Sequence, residues 1–180
     1  MAENINTVNH RWIKESLPHM ELAVDATCGG GNDTLFLSSV AKRVIAMDIQ
    51  QEAVEKTLRK TEGCRNVTVY CLDHSQMRKV VDEPVDLVCF NLGYLPYSAN
   101  PLITTPTTTI PALQAASELL KENGILSVAC YIGHPGGIQE WEAVQTWIKE
   151  QGSQWTVRTY SDGRENAPVL YFMKKTKSDQ

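Results

Sequence analysis

No stretch of this 180-residue chain comes near the run of roughly 18–20 apolar residues that crosses a membrane. The opening residues Met1-Ala2-Glu3-Asn4 are polar and lack the charged-then-apolar layout of a secretory signal. The five cysteines (Cys28, Cys64, Cys71, Cys89, Cys130) contain no C-x-x-C pair. That pattern predicts reduced thiols in a cytoplasmic protein and no metal site. Positive charge is not in excess: 17 Lys and Arg against 21 Asp and Glu give a formal net charge of −4. This excludes a protein that coats nucleic acid by bulk electrostatics, although it leaves room for a local basic surface. Arg11 with Lys14, Lys42 with Arg43, Arg78 with Lys79, and Lys174-Lys175 with Lys177 are the candidates, and solvated surface charge accounts for most of them. Repeats, low-complexity tracts and linkers are also missing.

What is present is a regular alternation. Hydrophobic residues make up 42% of the chain, enough to bury the core of a single domain spanning 1–180. Val8, Trp12, Ile13 and Leu17 share one helical face. Leu22-Ala23-Val24 reads as a strand, followed by a helix over 33–41 carrying Leu35, Phe36, Leu37 and Val40, with Asn32 or Asp33 as its cap. A strand at Val44–Met47 precedes a helix over 51–62 with Ala53, Val54 and Leu58 inward and Gly63 past its end. Val67–Cys71 is a strand, then a short helix falls near 75–81, then a strand over 85–90. A helix at about 108–122 stops at Asn123-Gly124 before a strand from Ile125 to Cys130. A helix over 138–151 and two strands near 155–160 and 168–174, around the turn Ser161-Asp162-Gly163, complete the chain. Strands alternating with helices predict an α/β, Rossmann-like fold: a mostly parallel seven-stranded sheet, helices on both faces, and a C-terminal antiparallel hairpin. In such sheets ligands bind beyond the carboxyl ends of the strands, at the switch in strand order.

The chemistry concentrates at those ends. The first strand runs into Asp25-Ala26-Thr27-Cys28-Gly29-Gly30-Gly31-Asn32-Asp33-Thr34, where three glycines let backbone turn sharply and approach a ligand. The second ends in Asp48, nineteen positions after Gly29, placed to accept from a ribose diol. Gly29-x-Gly31-x-x-Thr34 lacks the third glycine of a dinucleotide fingerprint, and no Lys follows as a triphosphate loop requires. S-adenosylmethionine, which has no phosphate, suits the pattern, with Asp25 available to its ammonium group directly or through water. Asp73, after the third strand, either accepts from an adenine amine or caps the short helix behind it.

The fourth strand ends in Cys89-Phe-Asn-Leu-Gly-Tyr-Leu-Pro-Tyr97. An amide oxygen at Asn91 can accept a hydrogen bond from an amine, and Tyr94 can stack on a base or lie near a sulfonium. Asn91-x-x-Tyr94 resembles the N-P-P-Y loop of amino-group methyltransferases, with Leu92-Gly93 in place of the prolines.

Four blocks together carry a closer resemblance: residues 25–34, Phe90-Asn-Leu-Gly-Tyr-Leu-Pro96, Ile103-Thr-Thr-x-x-Thr-Thr-Ile110, and Tyr131-x-Gly-His-x-Gly-Gly-x-x-Glu140. His10 and Asn166-Ala-Pro168 fit as well. The chain resembles a bacterial family long labelled "putative rRNA methylase", whose characterised members methylate 5-aminomethyl-(2-thio)uridine at the tRNA wobble position. It departs from the family's G-N-G at Gly30. The resemblance implies a class I methyltransferase using S-adenosylmethionine, often dimeric, acting on the tRNA anticodon loop. It assigns the cofactor to Asp25, Thr27, Gly29, Gly31, Asn32, Asp33, Thr34, Asp48, Ile49, Asp73, His74 and Asn91. Substrate falls to Tyr94, Pro96, Thr105, Thr108, Tyr131 and His134, with Asn91, Tyr94 and His134 at the chemistry. Gly136-Gly137 open a helix whose amides are placed to hold a phosphate. His134 or Asp73 is the candidate proton acceptor. The alternatives are a methyltransferase of another RNA or of a small or protein amine, a cofactor-sensing domain without turnover, and a nicotinamide-dependent oxidoreductase, which Thr34 disfavours.

Overall fold

The computed structural model describes residues 1–93 and 104–177. The alternation becomes α1 (Ile5–Ser16), β1 (Met20–Asp25), α2 (Asn32–Val40), β2 (Ala41–Asp48), α3 (Gln51–Lys60), β3 (Val67–Cys71), a 3₁₀ turn (His74–Lys79), β4 (Val85–Leu92), α4 (Pro106–Leu119), β5 (Leu120–Cys130), α5 (Gly137–Glu150), β6 (Trp155–Tyr160) and β7 (Val169–Lys175). The strands form a seven-stranded sheet in the order β3-β2-β1-β4-β5-β7-β6. β1 to β5 pair in parallel, and β7 runs antiparallel to both β5 and β6. The expected mostly parallel sheet with a C-terminal hairpin is therefore present. Strand order reverses between β1 and β4, which pair directly from Ala23 and Leu87 to Asp25 and Cys89. That seam is where a crevice opens in an open α/β sheet.

Side chains along a strand alternate between faces, and the central strands bury both. On β4, Val88, Phe90 and Leu92 enter one core layer with Leu113 of α4 and Val144 and Trp147 of α5. Leu87 and Cys89 enter the other, with Trp12 and Ile13 of α1 and Leu37 of α2. Helices thus cover both faces. A polar pair is sunk into the second layer, where Ser127 Oγ donates to Asn9 Oδ1 at 2.7 Å.

Several local expectations fail for identifiable reasons. Neither Asn32 nor Asp33 caps α2: Gly31 does, at φ +86°, without a side-chain cap bond. Leu58 and Leu35 are 50% and 41% exposed. The inward position on α3 belongs to Thr57, whose Oγ1 donates to the Gly29 carbonyl at 3.2 Å. α4 ends at Leu119, and Asn123-Gly124 lies inside β5, Asn123 at φ +63°, opposite a register shift between Val85 and Leu87. A helix stop and a strand irregularity use the same residues because both need a left-handed backbone. The five cysteines are free. Among the described residues no helix is long and apolar enough to cross a membrane.

Candidate active site

The glycine loop is built from beneath. Asp25 closes β1 fully buried, its Oδ2 accepting from Thr34 Oγ1 at 2.7 Å and its Oδ1 from the Thr27 amide at 3.3 Å. It ties the two ends of the loop together and is absent from the lining of the cavity above, so of the two routes expected to an ammonium group the direct one is not offered. Burial, and next the nearby charge of Asp33, push its carboxyl up to about 7. Thr34, also buried, is spent on the same bond. The Gly31 amide donates to the Cys28 carbonyl at 2.8 Å. A Cβ at Gly31 would sit 2.9 Å from the Thr57 Cα, so glycine is required there for space as well as for φ. At Gly30 a Cβ meets nothing within 4 Å.

Above the loop lies a cavity of about 600 Å³. Thr27, Gly29, Asn32, Asp33, Asp48, Ile49, Asp73, His74 and Asn91 line it, together with Thr105, Thr108, Tyr131 and His134. The site predicted from sequence is thus brought together, apart from Asp25, Gly31 and Thr34 below it. Tyr94 and Pro96 lie outside the described residues.

Asp48 is fixed by two backbone donors, Gly29 N to Oδ2 and Gln50 N to Oδ1, each at 3.0 Å. Each oxygen keeps acceptor capacity for a hydroxyl. Burial raises this carboxyl, and the backbone amides of Gln50, Gly29 and Ile49 pull it back. Asp73 caps the 3₁₀ turn, accepting from the Ser75 amide at 2.8 Å, while lining the cavity. Its two sequence readings are therefore compatible. His74 is buried against Phe90, 5.5 Å between ring centroids, and burial lowers its pKa.

Across the crevice, the Asn91 amide donates to Thr27 Oγ1 at 2.7 Å, locking the end of β4 to the start of the glycine loop. Asn91 Nδ2 donates to Asp33 Oδ2. The far wall is organised by Glu140, a buried carboxylate of α5 that the sequence offered only as the last letter of a block. It accepts from Thr104 Oγ1 at 2.7 Å and Thr109 Oγ1 at 2.9 Å. Thr104 Oγ1 also accepts from the Gly93 amide at 2.9 Å, and the Thr104 amide donates to the Gly93 carbonyl at 2.9 Å. Burial pushes Glu140 up. The Tyr131 hydroxyl donates to Asn6 Oδ1 at 3.3 Å, and His134 lies beside Gly93. Gly136 and Gly137 are absent from the cavity lining. A Cβ on Gly137 would meet the Ile132 carbonyl at 2.8 Å, so glycine there permits the close turn into α5. Asn6, Gln50, Asn166 and Pro168 line the cavity without having been assigned to it from sequence. Of these, only Asn166 and Pro168 carried a signal, the block Asn166-Ala-Pro168.

The family model described as "Putative rRNA methylase" matches residues 44–174. The chain belongs to this family. Two solved structures agree closely with this methylase-family fold. One, from Clostridium thermocellum, carries the same family description and superposes with a TM-score of 0.90 at 36% identity, covering 97% of this chain and 99% of its own. The other, a methyltransferase of Streptococcus mutans in complex with SAH, gives 0.88 at 36% identity with the same coverage. The Arabidopsis thaliana chloroplastic tRNA (mnm(5)s(2)U34)-methyltransferase is 40% identical over 173 residues, which is 86% of this chain and 63% of that protein's length. The chain thus spans under two thirds of that relative. As a class I methyltransferase fold, the family takes S-adenosylmethionine as its methyl donor.

Two charge patterns divide the methylase cavity. The side formed by the ends of β2 and β3 offers carboxylates, Asp48 and Asp73, suited to neutral hydroxyl and amine donors. The side formed by β4, α4 and β5 offers an amide, hydroxyls and rings from Asn91, Thr105, Thr108, Tyr131 and His134. Such a surface can hold a polar planar group without imposing a charge on it.

Proposed function

We propose that this protein is an S-adenosylmethionine-dependent N-methyltransferase acting on the 5-aminomethyl group of wobble (2-thio)uridine in tRNA, giving the 5-methylaminomethyl nucleoside. The observation that carries the reading is the Asn91 side chain, which borders the cavity with its nitrogen committed to Asp33, so that its oxygen is the end left to accept from an amine. The residues present fit the donor. Asp48, braced by Gly29 and Gln50, would take the ribose hydroxyls, with Ile49, Asp73 and His74 around the base and the glycine loop near the amino-acid end. When bound, S-adenosylmethionine supplies an electrophilic methyl on a positively charged sulfur.

A primary alkylamine titrates at roughly 8–10, so much of it is protonated near neutrality. The neutral form is the nucleophile. A partly apolar crevice favours it by desolvation. Asn91 Oδ1 accepts one amine hydrogen and so turns the nitrogen lone pair away from itself. A bound donor would give up its methyl to that lone pair with loss of the methyl–sulfur bond, and both amine hydrogens would stay on nitrogen. The product leaves as a secondary ammonium, so the step needs no obligatory base. Where the product is released as the neutral secondary amine instead, His134, which lines the cavity, is the candidate acceptor of the proton. Positioning alone supplies several kcal/mol in reactions of this type.

The Arabidopsis relative's named activity supports the choice of tRNA, and the neutral acceptor wall suits a nucleobase. The reading includes a cytoplasmic homodimer of single-domain subunits, the second subunit adding surface for the anticodon loop, and sedimentation velocity tests that part. The decisive experiment incubates the protein and S-adenosylmethionine with tRNA lacking the terminal methyl, followed by nucleoside mass spectrometry. A gain of one methyl on 5-aminomethyl-(2-thio)uridine is expected. Methylation of other RNA positions, or only of small amines, would overturn the substrate assignment.

A further inference from the structure

We infer that His10, a residue outside the cavity, is a positioning residue that sets the orientation of Asn91 through Asp33. This rests on the reading that Asn91 receives the substrate amine. An asparagine amide can present either end to a ligand, and only the oxygen end accepts from an amine. A carboxylate has no hydrogen to give, so Asp33 must face the amide nitrogen, and Asn91 Nδ2 is found on Asp33 Oδ2. Asp33 is itself held on its other side: His10 Nε2 lies 2.6 Å from Asp33 Oδ1. By the same logic the ring nitrogen is the donor, which fixes the His10 tautomer with its hydrogen on Nε2.

The imidazole is aimed by a second contact. It stacks on Phe36, centroids 3.8 Å apart and planes within 6°. Phe36 lies three positions after Asp33 on α2, hence on the same helical face. One ring on α1 therefore grips both the carboxylate and the aromatic of α2. The hydrogen-bonded chain His10–Asp33–Asn91 runs from α1 across the N-terminal turn of α2 to the end of β4. The His10 side chain keeps 26% exposure, so substitutions there do not open the core.

The test separates the hydrogen bond from the stack. His10→Phe keeps an aromatic face on Phe36 and removes the donor. His10→Gln removes the ring but places an amide hydrogen near the position of Nε2. If His10 positions Asn91, His10→Phe lowers kcat about tenfold, the scale of one lost charge-assisted hydrogen bond. Its affinity for S-adenosylhomocysteine by calorimetry and its melting temperature should stay near wild type. His10→Gln should restore kcat to within about threefold of wild type, and His10→Phe added to Asn91→Ala should cost less than about twofold more. Wild-type kcat in His10→Phe, loss in His10→Gln as large as in His10→Phe, or full additivity with Asn91→Ala would each overturn the inference while Asn91→Ala remains impaired. Wild-type turnover in Asn91→Ala would remove the reading beneath it as well.

Discussion

Gly31→Ala gives a direct test of how the site is braced. Gly31 sits at φ +86°, where an L-residue costs roughly 1–2 kcal/mol more than glycine. The added methyl would lie 2.9 Å from the Thr57 Cα, 3.2 Å from its Oγ1 and 3.3 Å from its Cβ. The nearest atom is backbone, so relief requires α3 to move as a body, and crowding of this kind costs typically 1–3 kcal/mol. Together the two terms give about 2–5 kcal/mol of lost stability. Gly30→Ala is the internal control: its Cβ meets nothing within 4 Å, so it should stay within about 0.5 kcal/mol of wild type. Urea unfolding of both variants, compared at equal m-value, reads the difference. Because α2 carries Asp33, the Gly31 variant should also bind S-adenosylhomocysteine more weakly. A Gly31→Ala protein as stable as wild type, or a Gly30→Ala protein equally damaged, would refute the account of the loop.

Three further outcomes follow from the site. Asp48→Ala should weaken S-adenosylhomocysteine binding by about 10–100-fold in calorimetry, the scale of one or two hydrogen bonds to a charged group, with little change in the tRNA affinity measured without donor. Asp25 is raised from 3.8 to about 7, so between those values the unfolded chain has ionised while the native carboxyl keeps its proton. Its contribution to stability is full below 3.8 and is lost as pH rises through about 7, and a urea series across that range should be flatter for Asp25→Asn. Glu140→Gln replaces one of the two acceptor oxygens with a donor and should cost about 1–3 kcal/mol of stability by leaving one threonine hydroxyl hydrogen without its acceptor, read as a lower melting temperature. A fully additive Thr109→Val, Glu140→Gln double variant would show that the two do not interact.

The sheet was legible because its signals are local. Valine- and leucine-rich runs punctuated by glycine give the strands, and their alternation with helices gives the parallel order. Asp48 was legible for the same reason, an acid at a strand end a fixed distance past a glycine loop. Asp25 shows where that reasoning stops. A strand-end acid beside a loop looks the same in sequence whether it faces the ligand or turns beneath it, and the deciding partner, Thr34, is nine residues away. Thr57 took the place expected for Leu58 because α3 packs its neighbouring face on the glycine loop, a contact 28 positions distant. Glu140 and His10 act through partners 31 and 23 positions away, so spacing alone gave no sign of what they hold.

The paired bonds between Gly93 and Thr104, anchored on Glu140, clasp the end of β4 and the start of α4 onto α5. A change made on α5 at Glu140 therefore reaches the end of β4 and the start of α4 at once.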